Sequence, residues 1–109
     1  MILIVVKFPV RPERAEEWST IATDYAHAVQ SEEGSLFFEW SKSLEEPDTF
    51  VCVEGFRDAA AGASHVDTDA FKNFVEVAPD LVAAQPEIIY VDAPDVPGWG
   101  PMGEIAPRG

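Results

Sequence analysis

The sequence predicts an α+β fold of the ferredoxin-like βαββαβ type, an antiparallel four-stranded sheet with helices on one of its faces. Four runs of β-branched and aromatic residues have strand length. Stretches with a helical apolar period separate the first run from the second and the third from the fourth. The order is therefore strand, helix, strand, strand, short helix, helix, strand, which forms two βαβ-like halves. A length of 109 residues is that of one domain.

The first half begins with residues 2–8 (ILIVVKF), an apolar β-branched run that predicts a strand ended by Pro9 and Pro12. From Glu13 onward, apolar residues recur every three or four positions, which predicts an amphipathic helix. The apolar stripe of this helix consists of Ala15, Trp18, Ala22, Tyr25 and Val29. Gly34 is expected to end the helix in a turn.

Residues 35–41 and 49–56 predict the two strands of an antiparallel hairpin, joined by the polar turn 45–48 (EEPD). Side chains alternate between the two faces of a strand. In the first strand, one face is expected to carry Leu36, Phe38 and Trp40, and the other Phe37 and Glu39. In the second strand, one face is expected to carry Phe50, Cys52, Glu54 and Phe56, and the other Val51 and Val53.

The second half begins at Asp58, which predicts the N-terminus of a short helix over 59–65. Asp67 or Thr68 caps the next helix, whose apolar stripe runs over residues 71–82 and is interrupted at Pro79. Residues 87–91 (EIIYV) predict the last strand, so the domain spans 1–91. The segment 92–109 holds four of the nine prolines and four of the seven glycines. We expect it to be an extended tail, held only if something packs on Trp99.

Both faces of most predicted strands are apolar, although the helices can cover only one of them. A sheet face exposed to water is normally polar, so something must cover the second face. No predicted helix is left over within the chain to do this. We therefore expect a homodimer in which two copies pack sheet to sheet, with the tail crossing onto the partner subunit.

The composition limits the classes of partner. The chain has 7 Lys and Arg against 20 Asp and Glu, a formal net charge of −13. An acidic surface offers no counter-charge to nucleic acid or to an anionic membrane, so we expect neither as a partner. The single cysteine excludes an internal disulfide, and no apolar run is long enough to cross a bilayer. We expect a cytoplasmic protein, and no side chains have the spacing of a metal site.

Three segments together resemble the antibiotic biosynthesis monooxygenase (ABM) domain: residues 33–39 (EGSLFFE), 50–58 (FVCVEGFRD) and 63–74 (ASHVDTDAFKNF). That family typically has a Gly-x-Leu-x-Tyr-Glu strand, a Tyr-Glu-x-Trp-x-Asp strand end, and a His-x-x-Ser/Thr step before an aromatic-rich helix. The resemblance covers residues 1–91. It implies a dimeric α+β barrel with an apolar cavity between each sheet and its helices. It often implies oxidation of a phenol or quinol by O₂ without a metal or flavin.

Several positions depart from the family pattern. Phe38 replaces the strand tyrosine, Phe56 replaces the strand-ending tryptophan, and Cys52 lies about where polyketide-oxidising members have an asparagine. In the heme-degrading branch a helix histidine ligates iron, and Val75 occupies that position, so the resemblance implies no heme. Ala70 occupies the position of a second histidine found in many quinol-oxidising members.

His65 is the main catalytic candidate, because it lies at a helix end beside the predicted cavity and histidine exchanges a proton near neutral pH. A phenolate gives an electron to O₂ far more easily than a phenol does, so a nearby base is useful. The alternative is that His65 caps the short helix through a backbone carbonyl. Glu54 and Glu39 lie among apolar strand residues and are either acid–base groups or members of ion pairs at a dimer interface.

Eight aromatic residues are candidates for the walls of a substrate site, although aromatic residues at this period also build ordinary cores. They are Trp18, Tyr25, Phe38, Trp40, Phe50, Phe56, Phe71 and Phe74. We expect a cofactor-independent monooxygenase that acts on a small aromatic or quinol-like molecule. Two alternatives stay open: a non-oxygenase protein that binds or isomerises a small reactive carbonyl compound, and a structural dimer module with a filled core.

Overall fold

The computed structural model describes residues 1–109 and contains four strands and three helices. The strands are β1 (Ile2–Pro9), β2 (Ser35–Lys42), β3 (Thr49–Phe56) and β4 (Glu87–Asp92). The helices are α1 (Ala15–Gln30), α2 (Ala59–Val66) and α3 (Asp69–Val77). Short 3₁₀ turns, Pro12–Arg14 and Ala78–Asp80, precede α1 and follow α3. The predicted order of elements and the ferredoxin-like fold are confirmed.

The four strands form one antiparallel sheet in the order β2-β3-β1-β4. One row of paired residues crosses the sheet from edge to edge, namely Phe38, Glu54, Ile4 and Tyr90. Paired residues of neighbouring antiparallel strands lie on the same face. Glu54 therefore lies on the inner face, which the helices cover, in the middle of the sheet.

The hairpin departs from the expected alternation at its beginning. The register between β2 and β3 shifts between Ser35 and Phe37, so Leu36 is an extra residue in a β-bulge. Leu36 is 44% exposed, whereas Phe38 and Trp40 belong to or pack against the core. The prediction that Leu36 shares their buried face was wrong, because the bulge interrupts the period of two.

The core lies between α1, α3 and the inner face of the sheet. The apolar stripe of α1 is buried as its period requires, and Trp18 has no exposed surface. The Trp18 ring lies 5.1 Å from Phe8, 5.6 Å from Trp40 and 5.6 Å from Phe74, measured between centroids. Aromatic contacts at these distances stabilise the fold beyond the apolar area that they bury.

The two short helices begin at side-chain caps. Asp58 accepts a hydrogen bond from the Ala61 N–H at 2.8 Å, and Thr68 accepts one from the Phe71 N–H at 3.2 Å. The 3₁₀ turn that contains Pro79 follows α3, as expected for a residue that cannot continue the helical hydrogen bonds. None of the helices has both the length and the apolar character needed to span a membrane.

The outer face of the sheet is largely apolar and carries no helix. Its apolar residues are Leu3, Val5, Phe37, Val51, Val53, Ile89 and Val91, and Lys7, Glu39, Ser41 and Glu87 lie beside them on the same face. Trp99 of the tail packs against Phe37 within the same chain, with ring centroids 5.3 Å apart. The Phe37 ring lies so close to Gly55 that a Cβ atom there would collide with it. The tail is therefore anchored at Trp99; its crossing onto a partner subunit stays a prediction.

Candidate active site

A cavity of about 670 Å³ lies between the inner face of the sheet and helices α2 and α3. Its wall is mostly apolar and includes residues of β1, β3 and β4. Six of the lining residues are exposed and mark its mouth, between β4 and the two helices: Ala63, Val66, Val75, Pro79, Ile88 and Tyr90. The cavity is not filled by side chains, which argues against the structural module with a filled core.

His65 lies in the last turn of α2 and is 3% exposed. The cap at Asp58 fixes where α2 begins, and the helical period then directs His65 toward the sheet. The imidazole packs 4.6 Å from the Phe56 ring and 5.2 Å from the Phe71 ring, measured between centroids. These contacts hold the ring in one orientation, with one nitrogen toward the cavity and the other away from it.

The two nitrogens of His65 have different partners. Nδ1 lies 3.0 Å and 3.1 Å from the two carboxylate oxygens of Glu32, in the turn after α1. Nε2 lies 3.2 Å from the Tyr25 hydroxyl oxygen and 3.4 Å from Oε1 of Glu54. A carboxylate only accepts, so Nδ1 carries the hydrogen that it donates to Glu32. In the neutral ring Nε2 is then the acceptor and can receive a proton.

Glu54 is the second ionisable group of the cavity. Burial is the largest effect on its carboxyl and raises its pKa, and the nearby charge of His65 acts in the opposite direction. The Cys52 thiol donates to Oε2 at 3.6 Å, and Oε1 has no hydrogen-bond partner. A raised pKa favours the neutral acid, whose proton on Oε1 can point toward Nε2 of His65. An ionised Oε1 would instead face the lone pair of Nε2.

Tyr25 and Cys52 stay protonated at ordinary pH. Burial raises the pKa of the Tyr25 hydroxyl, and the charge of Glu54 raises it further. The same two causes, in the same order, raise the pKa of the Cys52 thiol. Tyr25 is therefore a hydrogen-bond donor rather than a base, and Cys52 is a poor nucleophile because the thiolate is the reactive form. At this point of the cavity wall His65 can accept and return a proton, with the Tyr25 hydroxyl and the Glu54 carboxyl beside its Nε2 and Glu32 behind it at Nδ1.

A model of the family described as "Antibiotic biosynthesis monooxygenase" matches residues 1–77, from β1 to the end of α3. The chain belongs to this family. The matched segment contains every ionisable residue of the cluster around His65. The resemblance drawn from the sequence is thereby confirmed.

This antibiotic biosynthesis monooxygenase family member is similar to proteins from several organisms. A protein of Bacillus subtilis (strain 168) named "Putative monooxygenase YcnE" is 29% identical over 92 residues, 84% of this chain and 97% of that protein. A crystal structure described as "a putative antibiotic biosynthesis monooxygenase" from Caulobacter crescentus CB15 has a TM-score of 0.80 at 29% identity, and the match covers 84% of this chain and 88% of that one. Rv0793 from Mycobacterium tuberculosis has a TM-score of 0.81 at 14% identity, covering 89% and 98%. At that identity the comparison shows the fold alone.

The cavity of this family member contains three of the eight aromatic residues predicted as substrate walls. Tyr25, Phe71 and Phe74 line it, together with Phe8 and Tyr90, which the sequence did not single out. The other five are absent from its wall: Trp18, Phe38, Trp40, Phe50 and Phe56. Four of these fill the core between α1 and the β2–β3 half of the sheet, and Phe56 lies against His65. The cavity lies instead against β1, β4, and Cys52 and Glu54 of β3.

The two predicted glutamates lie on opposite faces of the sheet. Glu54 faces the cavity, whereas Glu39 pairs with Val53 on the outer face and is exposed. Phe38 lacks the hydroxyl of the family tyrosine, but Tyr25 brings a hydroxyl to the site from α1. No group of three or more His, Cys, Asp or Glu side chains could hold a metal ion.

Glu32 is the site residue that sequence reasoning missed. It follows α1 in a turn that contains two consecutive glutamates, and nothing in the sequence distinguishes Glu32 from Glu33. In the structure the Glu32 side chain is 16% exposed and contacts His65, whereas the Glu33 side chain is 94% exposed. Helix α2 packs closely against this turn, since a Cβ atom on Gly34 would collide with Ala61. The close packing brings His65 of α2 within reach of Glu32, whereas Glu33 stays exposed.

Proposed function

We propose that the protein is a cofactor-independent monooxygenase that oxidises a small aromatic or quinol-like molecule with O₂, with His65 as the base. One observation carries the proposal: the cavity is largely apolar, and its ionisable groups His65, Glu54 and Tyr25 converge at its buried end. Such a cavity suits a flat apolar ring system that ends in one hydroxyl group. Family membership and the similarity to YcnE support oxygenase chemistry.

The size and entrance of the cavity support a ligand of this kind. A volume of about 670 Å³ lies within the range of small-molecule sites, so a molecule of two or three fused rings fits beside O₂. The apolar residues at the mouth would admit an apolar molecule without desolvating charged groups. Phe71 and Phe74 offer ring faces and edges to an aromatic substrate.

The reaction would begin with transfer of the substrate hydroxyl proton to Nε2 of His65. Glu32 holds the tautomer in which Nε2 is free to accept, and its carboxylate stabilises the imidazolium that forms. Tyr25 and the protonated form of Glu54 would then donate hydrogen bonds to the phenolate oxygen. The base and the donors therefore act at the same oxygen atom.

The phenolate would next transfer one electron to O₂, and the radical pair would combine at a hydrogen-bearing ring carbon to form a peroxide. Return of the proton from His65 gives the hydroperoxide, which loses water to leave a carbonyl group. One oxygen atom thus enters the product and the other leaves as water. The substrate supplies all four electrons that O₂ accepts, so the reaction consumes no external reductant.

The test is O₂ consumption with a panel of hydroquinones and anthrone, measured against the rate of spontaneous oxidation. We expect uptake of one O₂ per anthrone and one ¹⁸O atom per product molecule from ¹⁸O₂. His65→Asn should lower kcat by about 10²-fold or more, the usual contribution of a positioned base. The exposed His27 of α1 offers a matched control, and His27→Asn should leave kcat unchanged. Full activity of His65→Asn would refute the assignment of the base.

A second function is favoured by one feature of the site: the carboxyl of Glu54, whose pKa is raised by burial, faces the imidazole of His65 at 3.4 Å. This arrangement also suits proton transfer within a small reactive carbonyl compound, without O₂. Hydroxycarbonyl compounds incubated in D₂O would then exchange their α-hydrogens in a reaction that depends on His65. Exchange without O₂ uptake by any quinol or anthrone would favour this function over oxygenation.

We also propose that the protein acts as a homodimer through the apolar outer face of the sheet. A largely apolar sheet face of this extent is unfavourable in water, and a second copy of the chain presents a matching surface that can cover it. Sedimentation equilibrium at micromolar concentration should give twice the monomer mass. Val53→Lys, in the middle of that face, should dissociate the dimer, whereas Val75→Lys, at the cavity mouth, should not. A monomeric wild-type protein would overturn the proposal.

A further inference from the structure

His65 connects two separate spaces in the molecule. Its Nε2 side faces the large cavity, where Tyr25 and Glu54 lie. Its Nδ1 side contacts Glu32, which lines a second, surface pocket of about 290 Å³ on the other side of α2. The two pockets have no lining residue in common. The imidazole and the Glu32 carboxylate are therefore the polar link between the buried site and the second pocket.

We propose that Glu32 is a positioning residue for His65 and relays protons between the imidazole and the surface pocket. The proposal rests on the proposed role of His65 as a base. It adds a route: protons leave and re-enter the site through Glu32 rather than through the cavity mouth, which the substrate fills. Nothing in the family resemblance pointed to Glu32.

Side-chain exposure rises along the proposed proton path, from the buried end of the cavity toward the surface pocket. The side chains of His65 and Glu54 are 3% and 7% exposed, and that of Glu32 is 16% exposed. The surface pocket beyond Glu32 is polar, with Arg57, Ser64 and Thr68 in its lining. A proton on Glu32 can therefore pass to water, whereas the cavity wall beyond the cluster of His65, Glu54 and Tyr25 is mostly apolar.

The position of Glu32 is fixed by backbone contacts on both sides. Its N–H donates to the Val29 carbonyl at 3.0 Å, and its carbonyl accepts from the Ser35 N–H at 3.1 Å. Ala61 of α2 packs against Gly34, two residues further on, where a side chain would collide. This contact sets the distance between the turn and α2, and with it the contact between Glu32 and His65. A carboxylate on a held backbone can orient an imidazole as the acid of a catalytic triad does.

Protons are conserved both when the substrate is deprotonated and when the peroxide is protonated. The substrate O–H bond breaks as Nε2 gains the proton, Nδ1 passes its proton to Oε2 of Glu32, and Glu32 releases a proton to water. This leaves a neutral imidazole with hydrogen on Nε2. Nε2 then returns its proton to the peroxide, and Nδ1 regains one through Glu32. No net proton is consumed, so the relay turns over once per reaction cycle.

The test compares Glu32→Gln with Glu32→Asp. Glutamine still accepts the hydrogen bond from Nδ1 but cannot carry the proton, whereas aspartate can. With anthrone as substrate, we expect Glu32→Gln to lower kcat by about 10²-fold with KM unchanged, and Glu32→Asp to restore part of the rate. Glu16→Gln, an exposed glutamate on α1, is the matched control and should leave kcat unchanged. Wild-type kcat in Glu32→Gln would overturn the relay.

Rescue by a small carboxylate separates a relay from a merely structural role. Glu32→Ala leaves space beside the surface pocket, so formate added to this variant should raise kcat in proportion to its concentration. The rise should be steeper at pH values where formate is ionised. The charged and titratable groups around this point are Glu32, Glu33 and Arg57 on the pocket side, and Glu54, Tyr25 and Cys52 on the cavity side. Absence of rescue in a folded Glu32→Ala variant would overturn the relay.

A measurement without substrate keeps this proposal distinct from the proposed oxygenase activity. ¹⁵N chemical shifts of the histidine side chains should show His65 with hydrogen on Nδ1 in the wild type and a changed tautomer mixture in Glu32→Ala. Exposed His27 supplies an internal reference. If no quinol or anthrone is oxidised but the tautomer depends on Glu32, the oxygenase proposal fails and the positioning role stands. If the tautomer is the same in both proteins, the positioning role fails.

Discussion

Replacement of Tyr25 by phenylalanine removes one hydroxyl group from the site and leaves the ring packing in place. The Tyr25 ring stacks on Phe74, with centroids 4.1 Å apart and planes 10° from parallel, and meets the edge of Phe38 at 5.6 Å. Phenylalanine preserves both contacts because they involve the rings alone. The hydroxyl oxygen lies 3.2 Å from Nε2 of His65. Tyr25→Phe therefore isolates this one buried hydrogen bond.

The size of the effect follows from the kind of hydrogen bond in each state. A neutral buried hydrogen bond contributes about 1 kcal/mol to the free energy of unfolding. For a domain of this length, that loss lowers Tm by about 4–6 °C. In the proposed reaction the same hydroxyl donates to a phenolate, and a hydrogen bond to a charged group contributes about 1.5–3 kcal/mol. Turnover should therefore fall roughly 10- to 150-fold.

Urea unfolding followed by tryptophan fluorescence measures the change in stability, and O₂ uptake with anthrone measures the change in turnover. Tyr90, exposed at the cavity mouth, offers a matched control for stability, and Tyr90→Phe should change the free energy of unfolding by less than about 0.5 kcal/mol. Unchanged stability in Tyr25→Phe would refute the hydrogen bond to His65. A loss above about 3 kcal/mol would show that the ring packing, rather than the hydroxyl, had been disturbed.

Three further predictions concern buried side chains. Leu81→Ala should lower the free energy of unfolding by about 2–5 kcal/mol in urea titrations, because Leu81 is fully buried, whereas Leu44→Ala should have almost no effect because Leu44 is fully exposed. Burial raises the pKa of the Glu54 carboxyl above its ordinary 4.5, so as pH rises the unfolded chain loses the carboxyl proton before the folded chain does. The free energy of unfolding should therefore fall as pH rises above about 4.5. Glu54→Gln should flatten this fall, and equal slopes in both proteins would contradict it. Iodoacetamide should alkylate Cys52 far more slowly in the native protein than in urea, since the thiol is buried and its pKa is raised; equal rates would show that the site opens freely.

Much of the fold could be predicted because its signals are local. The period of two in residues 49–56 places Glu54 on the face opposite Val53, and the helical period of α1 places Tyr25 on the buried stripe. The caps at Asp58 and Thr68 begin α2 and α3 as their residue types predict. A candidate base at His65 follows from the residue type and its position at a helix end. The bulge at Leu36 could not be predicted, since it depends on how β2 pairs with β3.

The sequence by itself determined which elements form, their order, and which face of each is apolar, because these depend on residues a few positions apart. Only the tertiary structure decided that Glu32, 33 residues from His65, completes the site, and that the cavity lies on the β1–β4 side of the sheet. Both follow from how closely α2 and α3 approach the sheet and the turn after α1. The distance of these helices from the sheet and the turn depends on contacts between residues far apart in the chain, such as that of Gly34 with Ala61. The local spacing of apolar residues does not reveal such contacts.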